Sequence, residues 1–400
     1  MPYYIGDVIK DEKRMVARTP EKFEETGIHV RLQTTVEEID TKKGEVGLAD
    51  GEKLSYDTLV FGTGATANMP GIRGMHEEGV FVLRNLRDAI DIKAYIKEKG
   101  CKKAIIVGAG FIALEMSEAL SEIGVETAIV YRGSLPASRW DKEFGTVVLE
   151  ELQKNQISFI PGRQLRAIDK VASGELHLFT NDGKFKADII LLTLGVKPDT
   201  TLAQQAGCTL GDSGAIAVDH YQKTSQEGIY AAGDCCESYH RIAKRWMHLP
   251  LGDIANKQGR VAGRNIGGVP ARFEGIVGAQ SFKVFGLELG ATGLDEQAAY
   301  RAGLVPVSVI VWGSPIAGSL NIQKEKLGMK ITADKKTGKL LGAQAIGNSG
   351  AVGRINTLSA CLWAGMDLAD VAFMDLAYAP PFGGAWDLIH IGAQVLQKKL

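Results

Sequence analysis

The stretch AIIVGAGFIALEMSEAL, residues Ala104–Leu120, constrains this chain more than any other. A short apolar run ends at Val107, two glycines follow, and apolar residues then return at helical spacing through Ile112, Met116, Ala119 and Leu120. A second apolar run, ETAIVY, follows Gly124. Strand, glycine turn, helix and strand make the start of a βαβ unit. In the pattern G-x-G-x-x-G the first glycine makes the tight turn, the second lets backbone approach a pyrophosphate, and the third lets helix pack closely on strand. Here the trio is Gly108, Gly110 and Ala113, alanine being permitted at the third place. The helix that opens at Phe111 and Ile112 offers unbonded N–H groups to phosphates. These residues are the candidate dinucleotide site.

The position that separates NAD from NADP lies at the end of the second strand, roughly 20 residues on, where a carboxylate would accept from the ribose 2'-hydroxyl of NAD. This chain has Tyr131 there, followed by Arg132. With no carboxylate to repel a 2'-phosphate and a guanidinium beside it, NADP is expected over NAD. The alternative is that Arg132 is a solvated surface charge and the site is indifferent.

Glycine is abundant, at 48 residues, and many glycines stand where apolar runs end. LVFGTGA places Gly64 so, LLTLGVKP places Gly195, and IYAAGD places Gly233. Strands ending in glycine turns mark doubly wound α/β domains that bind nucleotides at the carboxyl ends of their strands. From about Phe273 the texture changes: GMKITAD and KLLGAQAIG read as strands joined at KKTGK, and a helical run covers Ala351 to Ala364. That is a separate α+β domain. With 400 residues, 45% hydrophobic, 23% charged and a formal net charge of -1, there is room for two or three domains and no electrostatic case for nucleic acid or an acidic membrane. No apolar run approaches the ~20 residues that span a bilayer, and MPYYIGDVIKDEK lacks a signal core, so the cytoplasm is the expected compartment. The five cysteines form neither C-x-x-C nor a disulfide framework and are expected as buried free thiols; no metal site is expected.

The order of motifs YDTLVFGTGATANMPGIRG, AIIVGAGFIALE, LLTLGVKPDTTLAQQAG, GIYAAGDCCE and HLPLGDIANKQGRVAGRNI resembles the FAD-dependent pyridine nucleotide-disulfide oxidoreductases. DLAYAPPFGGAWDLIHIGA is similar to the dimerisation domain of the branch with coenzyme A-disulfide reductases, NADH oxidases and NADH peroxidases. The resemblance runs essentially from Met1 to Leu400. It implies an α/β fold with two Rossmann-like three-layer nucleotide-binding domains and a C-terminal α+β dimerisation domain. The expected division is 1–97 with 218–271 for FAD, 98–217 for NAD(P) and 272–400 for dimerisation. In the family an FAD fingerprint occupies an N-terminal βαβ unit, and in this branch a redox cysteine precedes a segment like MPYYIGDVI. The resemblance therefore implies a first domain incomplete at its start and a nucleophile upstream of Met1.

The remaining contacts are carried over one at a time. Asp234, with Gly233 beside it, resembles the acid that bonds the ribityl chain. Leu251 and Ala255 match the helix start facing the flavin's pyrimidine edge, with Gly252 where alanine is usual. Val36 matches a backbone contact to adenine, and Arg84 a contact to FAD phosphate. Phe111 stands where many relatives place a tyrosine that covers the flavin, keeping the stacking face and losing the hydroxyl. Glu115 matches a glutamate near the nicotinamide amide. Tyr378 resembles a tyrosine that the partner subunit places near the acceptor in coenzyme A-disulfide reductases, where a phenol could donate to a departing thiolate. His390 does not match the histidine acid of the two-cysteine branch, and Cys235 and Cys236 do not match the redox cysteine.

The implied function is electron transfer from NAD(P)H through FAD to a small disulfide or persulfide, by a homodimer. An NADH oxidase or peroxidase, with an oxygen-type acceptor, stays open. So does an inactive dinucleotide-binding dimer if the short start is real.

Overall fold

The computed structural model describes all residues, Met1–Leu400. The chain divides into two compact units, Met1–Glu12 with Ala67–Gly195 and Val277–Leu400, and Lys13–Thr66 with Val196–Ile276.

In the first unit a five-stranded parallel sheet runs in the order Val80–Val82, Ile189–Leu192, Lys103–Val107, Glu126–Val130, Ser158–Ile160. The central strands are continuous apolar runs because both faces are covered. Ile105, Val107, Val130, Ile190 and Leu192 pack against Ile168, Leu176 and Leu178 of an antiparallel meander, Leu165–Lys170, Leu176–Thr180 and Lys184–Ala187. Helices Phe111–Glu122 and Lys142–Lys154 connect successive strands, as a βαβ pattern requires. Helix Leu86–Lys99 begins with a capping box between Asn85 and Asp88 and ends at Gly100, whose φ of 61° is unstrained because glycine has no Cβ.

The same unit contains an antiparallel sheet in the order Gln280–Val284, Leu287–Gly293, Leu340–Gly347, Leu327–Asp334, Pro306–Gly313. Helices Ala351–Ala364, Leu368–Phe373 and Leu388–Gln397 accompany it. The strands expected from GMKITAD and KLLGAQAIG pair at the expected turn, and the helix spans Ala351 to Ala364 as expected. Glu118, on the fingerprint helix, bridges to this sheet: it accepts from Lys283 Nζ at 2.5 Å and from Phe285 N–H at 2.6 Å.

The second unit has a parallel strand pair, Leu59–Phe61 with Ile229–Ala231, and an antiparallel sheet of Val36–Asp40, Glu45–Leu48 and Lys53–Ser55. Its core joins Ile39, Phe61, Ala203, Ile216, Ile229, Ala231, Cys235 and Cys236. Helix Gly252–Ile266 follows a hairpin, Ser238–His240 with Arg245–Met247. These cuts differ from the division at 97, 217 and 271. Strand Val80–Val82 hydrogen-bonds into the sheet that holds the fingerprint, and residues 203–216 contribute to the second unit's core.

No helix is long and apolar enough to cross a membrane. All five cysteines are free and buried, as expected, and no cluster of three or more His, Cys, Asp or Glu side chains could hold a metal.

Candidate functional site

The carboxyl ends of three neighbouring strands converge in the first unit. Val107 pairs with Val130 on one side and Leu192 on the other, so Gly108, Tyr131 and the Thr193–Gly195 turn lie along one edge of the sheet. Gly108 has φ +121°, and a Cβ there would stand 2.6 Å from both the carbonyl oxygen and Oγ1 of Thr193. Glycine is required at that point. Thr193 is itself fixed, donating through N–H and Oγ1 to Val107 O, each at 2.9 Å. Gly110 is different. It is the N-cap of helix Phe111–Glu122 with ordinary dihedrals, no side chain caps the helix, and a Cβ there would meet nothing within 4 Å. The helix start is therefore open to close approach by a ligand. Ala113 is fully buried on the strand side, and Ile112 follows Phe111 in the first turn.

Phe111 is 41% exposed, with its ring 6.5 Å from that of Phe282. Glu115 lies one turn further on, and burial raises its carboxyl to about 7. Gly195 has φ +84° and accepts from Asn68 N–H at 2.9 Å.

Tyr131 and Arg132 open an eleven-residue loop, 131–141, between the second strand and helix Lys142–Lys154. Tyr131 Oη donates to Ser138 Oγ at 2.9 Å, and its ring lies over Gly133, where a Cβ would stand 2.5 Å from the ring edge. Arg132 is exposed. Sequence reasoning singled out the first two loop residues and missed Ser138, whose tie to Tyr131 spans seven positions. No local pattern announces it.

In the second unit Gly64 (φ +70°) and Gly233 (φ +89°) stand beyond the ends of the paired strands, followed by Asp234. Asp234 O accepts from His248 Nε2 at 2.8 Å. Leu251 is the N-cap of helix Gly252–Ile266 and accepts from Ala255 N–H, and a Cβ on Gly233 would lie 3.4 Å from Ala255 Cβ. Val36 packs against the core containing Phe61 and Ile229. Sequence reasoning missed Gln258. Its fully buried amide accepts from Gly233 N–H at 2.9 Å and donates to Glu237 O and Ser238 Oγ, each at 3.0 Å. The signal was present: a glutamine between Ile254 and Ala262 on the helix's buried face.

Arg84 belongs to the first unit, where its N–H donates to Asp88 Oδ2 at 2.6 Å just ahead of helix Leu86–Lys99. Cys235 Sγ donates to Phe61 O and Ala232 O. Hydrogen bonding with Cys236, then with Gly64 and Thr63, draws the Cys235 thiol down to about 7, while Cys236 is pushed up. Burial raises the thiols of Cys101, Cys208 and Cys361.

Tyr378 is 55% exposed in a segment that also exposes Phe373, Phe382 and Trp386. Buried Arg354 holds this segment: its guanidinium reaches Asp387, the N-cap of helix Leu388–Gln397, at 2.6 Å and Pro315 O at 3.2 Å. His390 Nε2 donates to Met374 O at 2.9 Å and is spent there.

Residues 279–388 match the pyridine nucleotide-disulphide oxidoreductase dimerisation domain. The NAD(P)H coenzyme A polysulfide/persulfide reductase of Pyrococcus horikoshii is 35% identical across 99% of this chain and 89% of its own length. The solved NAD-dependent persulfide reductase from A. fulgidus superposes with a TM-score of 0.95 at 34% identity, covering 100% of this chain and 75% of that one. An engineered water-forming NADPH oxidase bound to NADPH, a mutant of the Lactobacillus brevis NADH oxidase, gives 0.94 at 25% identity over 100% of this chain and 89% of its own. Residues 4–259, which hold both glycine turns, match the pyridine nucleotide-disulphide oxidoreductase family, and the chain belongs to it.

Proposed function

We propose that this chain is an FAD-dependent NADPH oxidoreductase acting on a small disulfide or persulfide of the coenzyme A type, as a cytoplasmic homodimer. When bound, NADPH and FAD supply hydride transfer and onward two-electron reduction. The chain's part is to hold, orient and shield.

The nicotinamide nucleotide is assigned to the edge formed by Gly108, Gly110, Phe111, Ile112, Ala113 and Gly195. The observation that carries this is the contrast between the two glycines: Gly108 is closed against Thr193, and Gly110 is open above an uncapped helix start. Such a start binds phosphate through its N–H groups and its positive dipole end. Glu115, neutral below about 7, can donate to a carboxamide oxygen. The half-exposed Phe111 ring offers a stacking face.

The choice of NADPH rests on Tyr131 and Arg132. The engineered NADPH oxidase carries Gly to Ala, Asp to Ala, Ala to Arg, Met to Ser and Pro to Arg, spaced 18, 1, 1 and 5 residues apart. Counted from Ala113, the same spacing falls here on Tyr131, Arg132, Gly133 and Ser138, with Arg139 next. This chain thus already has the alanine, lacks the aspartate and has the first arginine.

Flavin is assigned to Val36, Gly64, Gly233, Asp234, Leu251 and Ala255 of the second unit. The two glycine turns and the uncapped start of helix Gly252–Ile266 fit a second nucleotide, with Asp234 following Gly233 at the strand end. Tyr378 is assigned to the acceptor site of the partner subunit, on an aromatic surface that a lone subunit would leave bare. The relatives include oxygen reducers, and NADH oxidase activity is the second reading.

The test is spectroscopic. The protein, loaded with FAD and desalted, should stay yellow, bleach with NADPH under anaerobic conditions, and recolour on adding coenzyme A disulfide. Recolouring only on admitting oxygen would favour the oxidase, and failure to bleach would refute both.

A further inference from the structure

We propose that Lys330 and Gln344, on the C-terminal antiparallel sheet, are positioning residues for nucleotide selection. They clamp the far end of the 131–141 loop so that its near end presents Arg132 and Ser138 to a 2'-phosphate. The proposal rests on the NADPH reading above.

The near end of the loop is tied to the parallel sheet and to the fingerprint. Tyr131 N–H donates to Ile160 O at 3.0 Å, Tyr131 Oη to Ser138 Oγ at 2.9 Å, and Ala137 N–H to Ala109 O at 3.0 Å. Ala137 holds φ +51°, a left-handed conformation that a non-glycine residue adopts only where its surroundings impose it. The far end of the loop is tied from the other side.

There Asp141 N–H donates to Gln344 Oε1 at 2.7 Å, and Gln344 Nε2 donates back to Arg139 O at 3.4 Å. Lys330 Nζ donates to Asp141 Oδ2 at 2.7 Å and to Glu296 Oε2 at 3.1 Å. Between these ties Trp140 packs edge-on against Phe282 with 5.1 Å between centroids, and Phe282 also neighbours Phe111. Lys330 and Gln344 are directly paired across neighbouring strands, and each is only 8% exposed. An ammonium and an amide side by side in a covered sheet are costly to bury, and apolar residues of similar size often serve stability as well. Their polar ends are spent on the backbone and the capping carboxylate of this loop. Burial works against the charge on Lys330, yet Asp141 and Glu296 outweigh it and raise its pKa, so the clamp stays charged. A loop fixed at residues 137 and 139–141 leaves Arg132–Ser138 one closed turn, and a guanidinium recognises phosphate only from a defined direction.

Equilibrium titration of the flavin-loaded protein with NADPH and with NADH tests this. For Lys330→Met and Gln344→Leu the dissociation constant for NADPH should rise about tenfold, the size of one or two displaced hydrogen bonds, while that for NADH stays within about twofold. Lys330→Arg should restore the wild-type ratio. A merely structural pair would move both constants together, and either that result or an unchanged ratio in a folded variant overturns the clamp. Should Lys330→Met fail to fold, Gln344→Leu, which removes no charge, carries the test. Wild-type protein that binds NADH as tightly as NADPH overturns the NADPH reading and this proposal with it. Wild-type preference for NADPH that survives both substitutions overturns the clamp alone.

Discussion

The two glycine turns solve one problem in different ways. The turn at Gly108–Ala113 is built from six consecutive residues and the end of the adjacent strand, and its critical contact is with backbone, the carbonyl of Thr193. The turn at Gly233–Asp234 depends on a side chain 25 positions away, since Gly233 N–H is satisfied by the buried amide of Gln258. The first is rigid because nothing else fits. The second is held by a partner that can be removed without a clash, so the two turns should fail differently.

The largest expected effect is at Gly108. Gly108→Val must adopt φ near +121° with its Cβ 2.6 Å from Thr193 O, and it should cost about 3 kcal/mol or more, read as a lower melting temperature of the first unit. Gly233→Ala also sits at positive φ, but its Cβ meets only Ala255 at 3.4 Å, and about 1–2 kcal/mol is expected. A larger loss at Gly233 than at Gly108 would break the comparison.

Next is Arg132→Glu, which places a carboxylate where a 2'-phosphate would lie. Loss of a charge-assisted bond, worth roughly 1.5–3 kcal/mol, should move the NADPH-to-NADH ratio by about tenfold to a hundredfold. Stability should not change, because Arg132 is exposed.

Gln258→Leu sharpens the second half. It strands Gly233 N–H and removes two further bonds, so a loss of about 1–3 kcal/mol and weaker retention of FAD are expected, with NADPH affinity intact. Equal loss of both nucleotides would show that the turns are not independent.

The smallest effects are in pH dependence, where the two units should slope in opposite senses. Glu115 has its carboxyl raised by burial from 4.5 to about 7. The unfolded chain ionises it first, so its contribution is full below about 4.5 and is lost as pH rises through about 7. His240 is lowered from 6.5 to about 4, by burial and then by Arg245. Its contribution is full above about 6.5 and is lost as pH falls through about 4. Melting curves of Glu115→Gln and His240→Gln against pH should each flatten one arm, the neutral arm for the first and the acid arm for the second.

This contrast also explains what could be read in advance. The fingerprint, the strands ending at Val107 and Val130, the helix Ala351–Ala364 and the turn between the last two strands were legible because each is specified by residues close in sequence. The tight turn at Gly108 was legible for the same reason. Gln258, Ser138, Lys330 and Gln344 were not, because their roles exist only once distant strands and helices pack. Gln344 meets a loop some 200 positions away. Strand Val80–Val82 was missed as part of the fingerprint sheet because three residues carry too little pattern to show which edge they join.

The edge from Gly108 to Arg132 is proposed to hold NADPH in preference to NADH. Calorimetric titration of the flavin-loaded wild-type protein with each nucleotide, at one ionic strength, tests it most directly. The account predicts that NADPH binds at least about tenfold more tightly, the worth of one charge-assisted hydrogen bond to the 2'-phosphate. Equal affinity, or tighter binding of NADH, would contradict it.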